Sequence, residues 1–202
     1  MIRRRTLLND HQLTEREQKS LALLELIRQR GPLTRTDLSQ GTGFNIVTVS
    51  NYVAEFIKQG LVGERGFDVS TGGRKPVLVE LNAKSGFVIG VDLAPMGLEQ
   101  AGMTAVITDL RGHIVHRVVK TRTSEAMDHT LSQAGDLIAE IMNSSPVDMK
   151  KLQGIGIGLP GIMDERAGTV RHTIRGATRS SYVGLQDRLE REFQLPTLMG
   201  ND

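Results

Sequence analysis

A chain of 202 residues can form one medium domain or two small ones, and 39% hydrophobic with only 3% aromatic residues points to aliphatic cores. The lack of cysteine excludes disulfides and thiolate metal sites within these residues and suits a reducing cytoplasm. Net charge is +2, with 12 Lys+Arg against 9 Asp+Glu in residues 1–82, a mild bias toward an anionic partner for that part.

The start MIRRRTLLND has no apolar signal-peptide core, and runs such as Leu21–Leu24 are far too short for a bilayer. A cytoplasmic protein with no membrane partner is the expectation. Thr14 and Glu17 form a T-x-x-E capping box, which predicts a helix start. Leu23, Leu24 and Ile27 give that helix a buried stripe, and Gly31-Pro32 stops it. Thr34 with Asp37 predicts a second start, for a short helix that turns Leu38 inward and ends at Gly41-Thr42-Gly43. A third helix runs over Asn45–Gln59, with Asn45 as N-cap and Gly60 just past its end. Val49, Val53, Phe56 and Ile57 fall at i, i+4, i+7 and i+8, so one face is buried.

Short helix, glycine turn and longer helix is the order of a helix-turn-helix. Away from its apolar stripe the third helix carries Thr48, Ser50, Asn51 and Glu55. Hydroxyls and an amide near a helix start suit phosphates and base edges in a major groove. A merely solvated face has similar composition, so the downstream segment decides between the two. Leu61–Arg65 and Pro76–Leu81 read as strands around FDVSTGGRK, residues 67–75. Gly72-Gly73 permit a tight turn, and Arg74 and Lys75 then project from a basic hairpin tip. A basic tip after a helix-turn-helix is the wing of a winged helix, where arginine enters a minor groove or grips phosphate. Residues 1–82 are thus expected to be an α+β winged helix-turn-helix that binds double-stranded DNA. Asn45, Thr48, Ser50, Asn51, Arg74 and Lys75 are its candidate contacts. Arg3-Arg4-Arg5 reads as a solvated tail, with a basic arm as the alternative.

From Phe87 the pattern turns to strands. Phe87–Asp92 is an apolar run, and Met103–Leu110 with His113–Thr121 predicts a hairpin turning at Arg111-Gly112. Leu131, Ala134, Ile138 and Ile141 place a helix over 128–143. Leu152–Leu159 is a glycine-spaced buried strand, followed by a helix at Leu185–Phe193 and a strand at Pro196–Met199. This order describes an α/β lobe of the RNase H or actin-like ATPase type over residues 83–202.

Gly156, Gly158 and Gly161 match the dinucleotide pattern G-x-G-x-x-G. That pattern needs a helix to open at the loop, whereas IMDERAGTV reads as a hairpin, so the glycines are read as allowing close packing within a sheet. The five histidines suggest no metal site: His113 and His116 are three apart in a predicted strand, and the others are scattered.

The segments TGFNIVTVSNYVAEFIKQGLV, STGGRKPVLVELN, IGVDLA, TDLRGHIV, GIGIGLPGIMDERAGTV and the final GND together resemble the ROK family. That family unites sugar-responsive repressors with sugar kinases. The resemblance implies a winged helix ahead of a two-lobed actin-like domain, a sugar or sugar-phosphate effector such as xylose or N-acetylglucosamine, and homodimers or tetramers at full length. It also implies that Gly161, Asn201 and Asp202 meet sugar hydroxyls, Asp202 standing where kinases keep their base. The family's kinases run their first strand into D-x-G-G-T, whose amides and hydroxyl hold phosphate. Here Asp92 is followed by Leu93-Ala94-Pro95-Met96, and Pro95 has no N–H to give. With Asp92, Ala94, Pro95 and Met96 forming a degraded phosphate loop, no catalytic residue is assigned and a repressor of carbohydrate genes is expected. A ROK sugar kinase carrying a winged helix is the alternative. The family's second lobe and its zinc motif are expected beyond Asp202, so no cofactor is assigned to this chain.

Overall fold

A computed structural model describes residues 13–67, 76–93, 102–121, 127–159, 162–164, 169–172, 178–181 and 183–201. The chain divides into two compact units, Met1–Ser85 and Gly86–Asp202.

The first unit contains α1 (Glu15–Arg30), β1 (Leu33–Thr34), α2 (Arg35–Thr42), α3 (Ile46–Lys58), β2 (Val62–Phe67) and β3 (Val77–Leu81). Two of its helices start as the capping boxes predict. The Thr14 amide donates to Glu17 Oε2 at 2.9 Å, and the Glu17 amide returns a bond to Thr14 Oγ1 at 3.3 Å. Thr34 and Asp37 do the same for α2, at 2.8 and 3.1 Å. Each box satisfies two amides that a helix start would otherwise leave unpaired. Leu23, Ile27, Leu38, Val49, Val53 and Phe56 form the helical core, and Val62, Val79 and Leu81 close it from the sheet.

That sheet has the order β1-β3-β2, all antiparallel. Strand β1 is only two residues long and was not anticipated from sequence. Its strand character consists in pairing Leu33 with Val79 and Thr34 with Leu78. The β2–β3 register slips between Glu64 and Phe67. The hairpin tip expected over 67–75 lies, from residue 68 onward, outside the described residues.

The second unit holds β4 (Phe87–Asp92), β5 (Gly102–Asp109), β6 (Ile114–Thr121), α4 (Met127–Ser144), β7 (Leu152–Leu159), β8 (Ile162–Asp164), β9 (Thr169–His172), β10 (Thr178–Ser181), α5 (Val183–Phe193) and β11 (Thr197–Asn201). A five-stranded sheet of order β11-β7-β4-β5-β6 puts β4 at its centre, antiparallel to β5 and parallel to β7, which is in turn parallel to β11. Alternation along the strands sends Ile89, Ile107 and Ile157 to one face, where Leu137, Ile138 and Ile141 of α4 meet them in one core. Strands β8, β9 and β10 form a separate antiparallel sheet. The element after β7 is thus a strand, not the helix that a dinucleotide loop requires. Strand β10 was not expected.

Close packing by glycine occurs at Gly154, outside the motif, and is absent at Gly156 within it. A Cβ on Gly154 would sit 3.0 Å from the Pro196 carbonyl oxygen, whereas one on Gly156 would come no nearer than 4.0 Å to Ile89 O. Gly154 is the position at which backbone from the next strand comes close.

The β5–β6 connection turns at Gly112 (φ +86°), as the sequence suggests. Asp109, only 7% exposed, organises it. Its Oδ1 accepts the Arg111 amide at 2.8 Å and the His113 amide at 3.0 Å. Its Oδ2 lies 3.2 Å from His113 Nδ1, so His113 belongs to the turn rather than to the strand. Burial would raise the Asp109 carboxyl, but the two amides and the His113 ring outweigh it and hold the pKa below its ordinary value of 3.8. A depressed folded pKa means the stabilisation is complete above the unfolded value and disappears as pH falls through the folded one. Asp109→Asn is therefore expected to cost about 1.5–3 kcal/mol at pH 7, the range for hydrogen bonds to a charged group. Urea titrations of both proteins should converge well below pH 4; a constant gap across that range would contradict the assignment.

Candidate nucleic-acid interface and strand-end site

The turn between α2 and α3 is fixed locally. Gly43 takes φ +74°, and its amide caps α2 on the Ser39 carbonyl at 2.9 Å. Ser39 Oγ donates to the Phe44 carbonyl at 2.6 Å. A Cβ on Gly41 would lie 2.7 Å from Leu26 Cδ2, so α2 lies close against α1. The chain then enters α3 at Asn45, whose Oδ1 accepts the Thr48 amide at 2.8 Å. The Asn45 oxygen is thus committed to the cap, a role its position in the sequence already implied.

Thr48 and Ser50 are half-buried, while Asn51 is exposed. Of the polar residues on α3 predicted to face DNA, Asn51 therefore projects furthest outward. Glu55 is otherwise engaged: its carboxylate takes Arg16 Nη2 at 3.0 Å and Gln59 Nε2 at 3.1 Å. The Tyr52 hydroxyl donates to the Arg16 carbonyl at 3.2 Å, so α1 and α3 are joined by two polar links near the start of α1. At the far end Gly60 takes φ +73°, and the Leu61 amide returns to the Phe56 carbonyl at 2.9 Å. Helix α3 is held at both ends, with one face buried and the opposite face open. Sequence reasoning missed Val47 on that open face, which is 66% exposed. Its signal was the spacing of 47, 51, 54 and 58, the helical row opposite the buried stripe. Arg74 and Lys75 lie outside the described residues.

In the second unit, two of the predicted residues come to one edge. Asp92 ends β4 opposite Gly158 of β7, and Asn201 ends β11 opposite Leu159 of β7. Both stand at the carboxyl ends of parallel strands, two strand spacings or roughly 10 Å apart. Open α/β sheets commonly receive ligands outside that edge. Ala94, Pro95, Met96, Gly161 and Asp202 lie outside the described residues. Among the described residues, no three His, Asp or Glu side chains group as metal ligands would, and no helix is long and apolar enough to cross a membrane.

The ROK family pattern matches residues 89–202, from β4 through β11. The chain is also 32% identical, over 196 residues and 96% of its length, to a putative xylose repressor of Caldicellulosiruptor sp. (strain Rt8B.4), of which it covers 47%.

The chain belongs to the ROK family.

Other relatives include the xylose repressor of Bacillus subtilis (strain 168), 31% identical over 89% of this chain and 45% of that protein. The DNA-binding transcriptional dual regulator NagC of Escherichia coli (strain K12) is 27% identical, over 91% of this chain and 43% of its own. This chain therefore spans about half the length of the curated relatives it matches. In fold it resembles a crystal structure of a ROK family transcriptional regulator, a homologue of E. coli MLC protein, with a TM-score of 0.66 at 20% identity. That likeness covers 91% of this chain and 45% of the other.

Proposed function

We propose that this chain is the DNA-binding and first effector-binding part of a sugar-responsive transcriptional repressor. Residues 1–82 act as a winged helix-turn-helix, with α3 in the major groove and Arg74 and Lys75 on a wing. Residues 83–202 act as the first lobe of an RNase H/actin-like domain. There Gly161, Asn201 and Asp202 meet hydroxyls of a sugar or sugar phosphate, and the assembled protein is a homodimer or tetramer. The open face of α3 behind a glycine turn is the observation that carries the reading, because it leaves one helix free to enter a groove. The relatives named as repressors support it. Pro95 and Met96, where the kinase turn has an amide-bearing glycine and a hydroxyl, argue against phosphoryl transfer, since one lost donor costs about 10²-fold or more.

The test is fluorescence anisotropy with labelled duplexes over a range of salt. Binding should weaken linearly in log–log form as salt rises. Arg74→Ala should lower the slope by about one unit, as expected for one lost phosphate contact. Binding that ignores salt, or a chain that binds no duplex even at low ionic strength, would remove the proposal.

A further inference from the structure

We infer that Val47 reads the methyl group of a thymine in the major groove, within two base pairs of an adenine read by Asn51. The inference rests on the proposed role of α3 and names what that helix prefers. The outward row of the helix is Val47, Asn51, Ala54 and Lys58, spaced i, i+4, i+7 and i+11, and all four are exposed. Val47 is 66% exposed and its neighbour Ile46 46%. A single exposed aliphatic side chain is ordinary. Two adjacent ones opening a helix are less so, since the first turns of α1 and α2 carry Glu15, Glu17 and Asp37 while that of α3 carries no acid. β-Branched residues add nothing to helix propensity there.

The chemistry of the row selects the partner. Its one charge is the Lys58 cation, and the nearby Glu55 carboxylate is held by Arg16 at 3.0 Å. An apolar group, an amide, a methyl and a cation in line complement base edges bordered by phosphate. The apolar side chains in the row are Val47 and Ala54 alone. Val47 to Ala54 covers about 10 Å of helix axis, or roughly three base-pair steps of about 3.4 Å. Within the major groove, thymine presents a methyl and adenine presents the N6/N7 pair that asparagine binds in two-pronged fashion. With Asn51 on an adenine, Val47 lies one helical turn away, about 6 Å along the axis, within two base pairs. The small side chain of Ala54 lets the helix approach the groove floor.

The experiment begins with duplexes that this chain selects from a random library. Each thymine of the recovered site is then replaced singly by deoxyuridine, which lacks only the C5 methyl. One thymine within two base pairs of the adenine that Asn51→Ala ceases to distinguish should show about a fourfold loss of affinity. That factor corresponds to ~0.8 kcal/mol for one buried carbon group. In Val47→Ala the same replacement should cost nothing. Alanine favours the helix at this exposed position, so the variant keeps its fold. Sequence-selective binding with no thymine sensitive to deoxyuridine, or sensitivity that survives in Val47→Ala, would overturn the inference and leave the DNA-binding role standing. A chain that selects no sequence at all would overturn both.

Discussion

Asn51→Ala is expected to cost about 1–3 kcal/mol of discrimination between a selected duplex and random DNA, the range for a two-pronged amide–adenine contact. Binding to random DNA should change little, because phosphate contacts supply that affinity and carry no sequence information. The side chain is exposed on α3, with the buried residues Val49, Val53 and Phe56 on the opposite face. Alanine there should also leave the unfolding midpoint nearly unchanged or slightly raised. The signature is therefore a loss of selectivity without a loss of stability or of basal affinity. Competition titrations against unlabelled random DNA separate these quantities. Equal discrimination by the variant and the parent would mean that Asn51 does not read a base.

Leu137→Ala should destabilise the second unit by about 2–5 kcal/mol, the range for emptying a buried leucine site. Leu137 is fully buried beside Ala134, Ile138 and Ile141, and joins the core that backs the five-stranded sheet. Deleting its methyl groups leaves a void bounded by α4 and by strands whose hydrogen-bond ladders keep them from collapsing inward. Leu137→Met conserves volume and should cost less than about 1.5 kcal/mol. Urea unfolding followed by circular dichroism compares the three proteins. A loss below about 1 kcal/mol for alanine would show that α4 does not seat its buried face as described.

What the sequence made legible was mostly what is decided within a few residues. The capping boxes at Thr14 and Thr34, the Asn45 cap and the left-handed Gly43, Gly60 and Gly112 are local, and each occurs where its residues predict. The central strands β4 and β7 were legible because apolar residues recur along both, and in the fold every second one turns into the core while Val88 and Gln153 face outward. Strand β1 was not, because two residues have no period, and its partner Val79 lies far along the chain. Gly154 illustrates the same limit: its need for a bare Cα arises from Pro196 on the adjoining stretch, which no spacing within β7 reveals. The outward row of α3 is set by helical phase, which the buried stripe already fixes, and that phase places the apolar Val47 beside Asn51. At the strand-end site Asp92 and Asn201 were named on resemblance, and the parallel register of β4, β7 and β11 gives them a common edge.

The central position of β4 also sets an order of assembly. Helices α1 to α3 and the small sheet involve pairings that close within the first 85 residues, so they can complete as soon as β3 has left the ribosome. Strands β4, β5 and β6 can then zip into an antiparallel meander from neighbouring segments. The other side of β4 must wait, because Phe87 pairs with Leu152, about 65 residues later, and only after α4 has been made. Closing that loop costs entropy before any contact repays it, which makes the parallel step the slow one. During the interval one side of the future sheet centre carries a row of open amides and carbonyls, the arrangement that invites pairing with another nascent chain. The strand that ends at Asp92 thus keeps one edge unpaired until β7 has been synthesised.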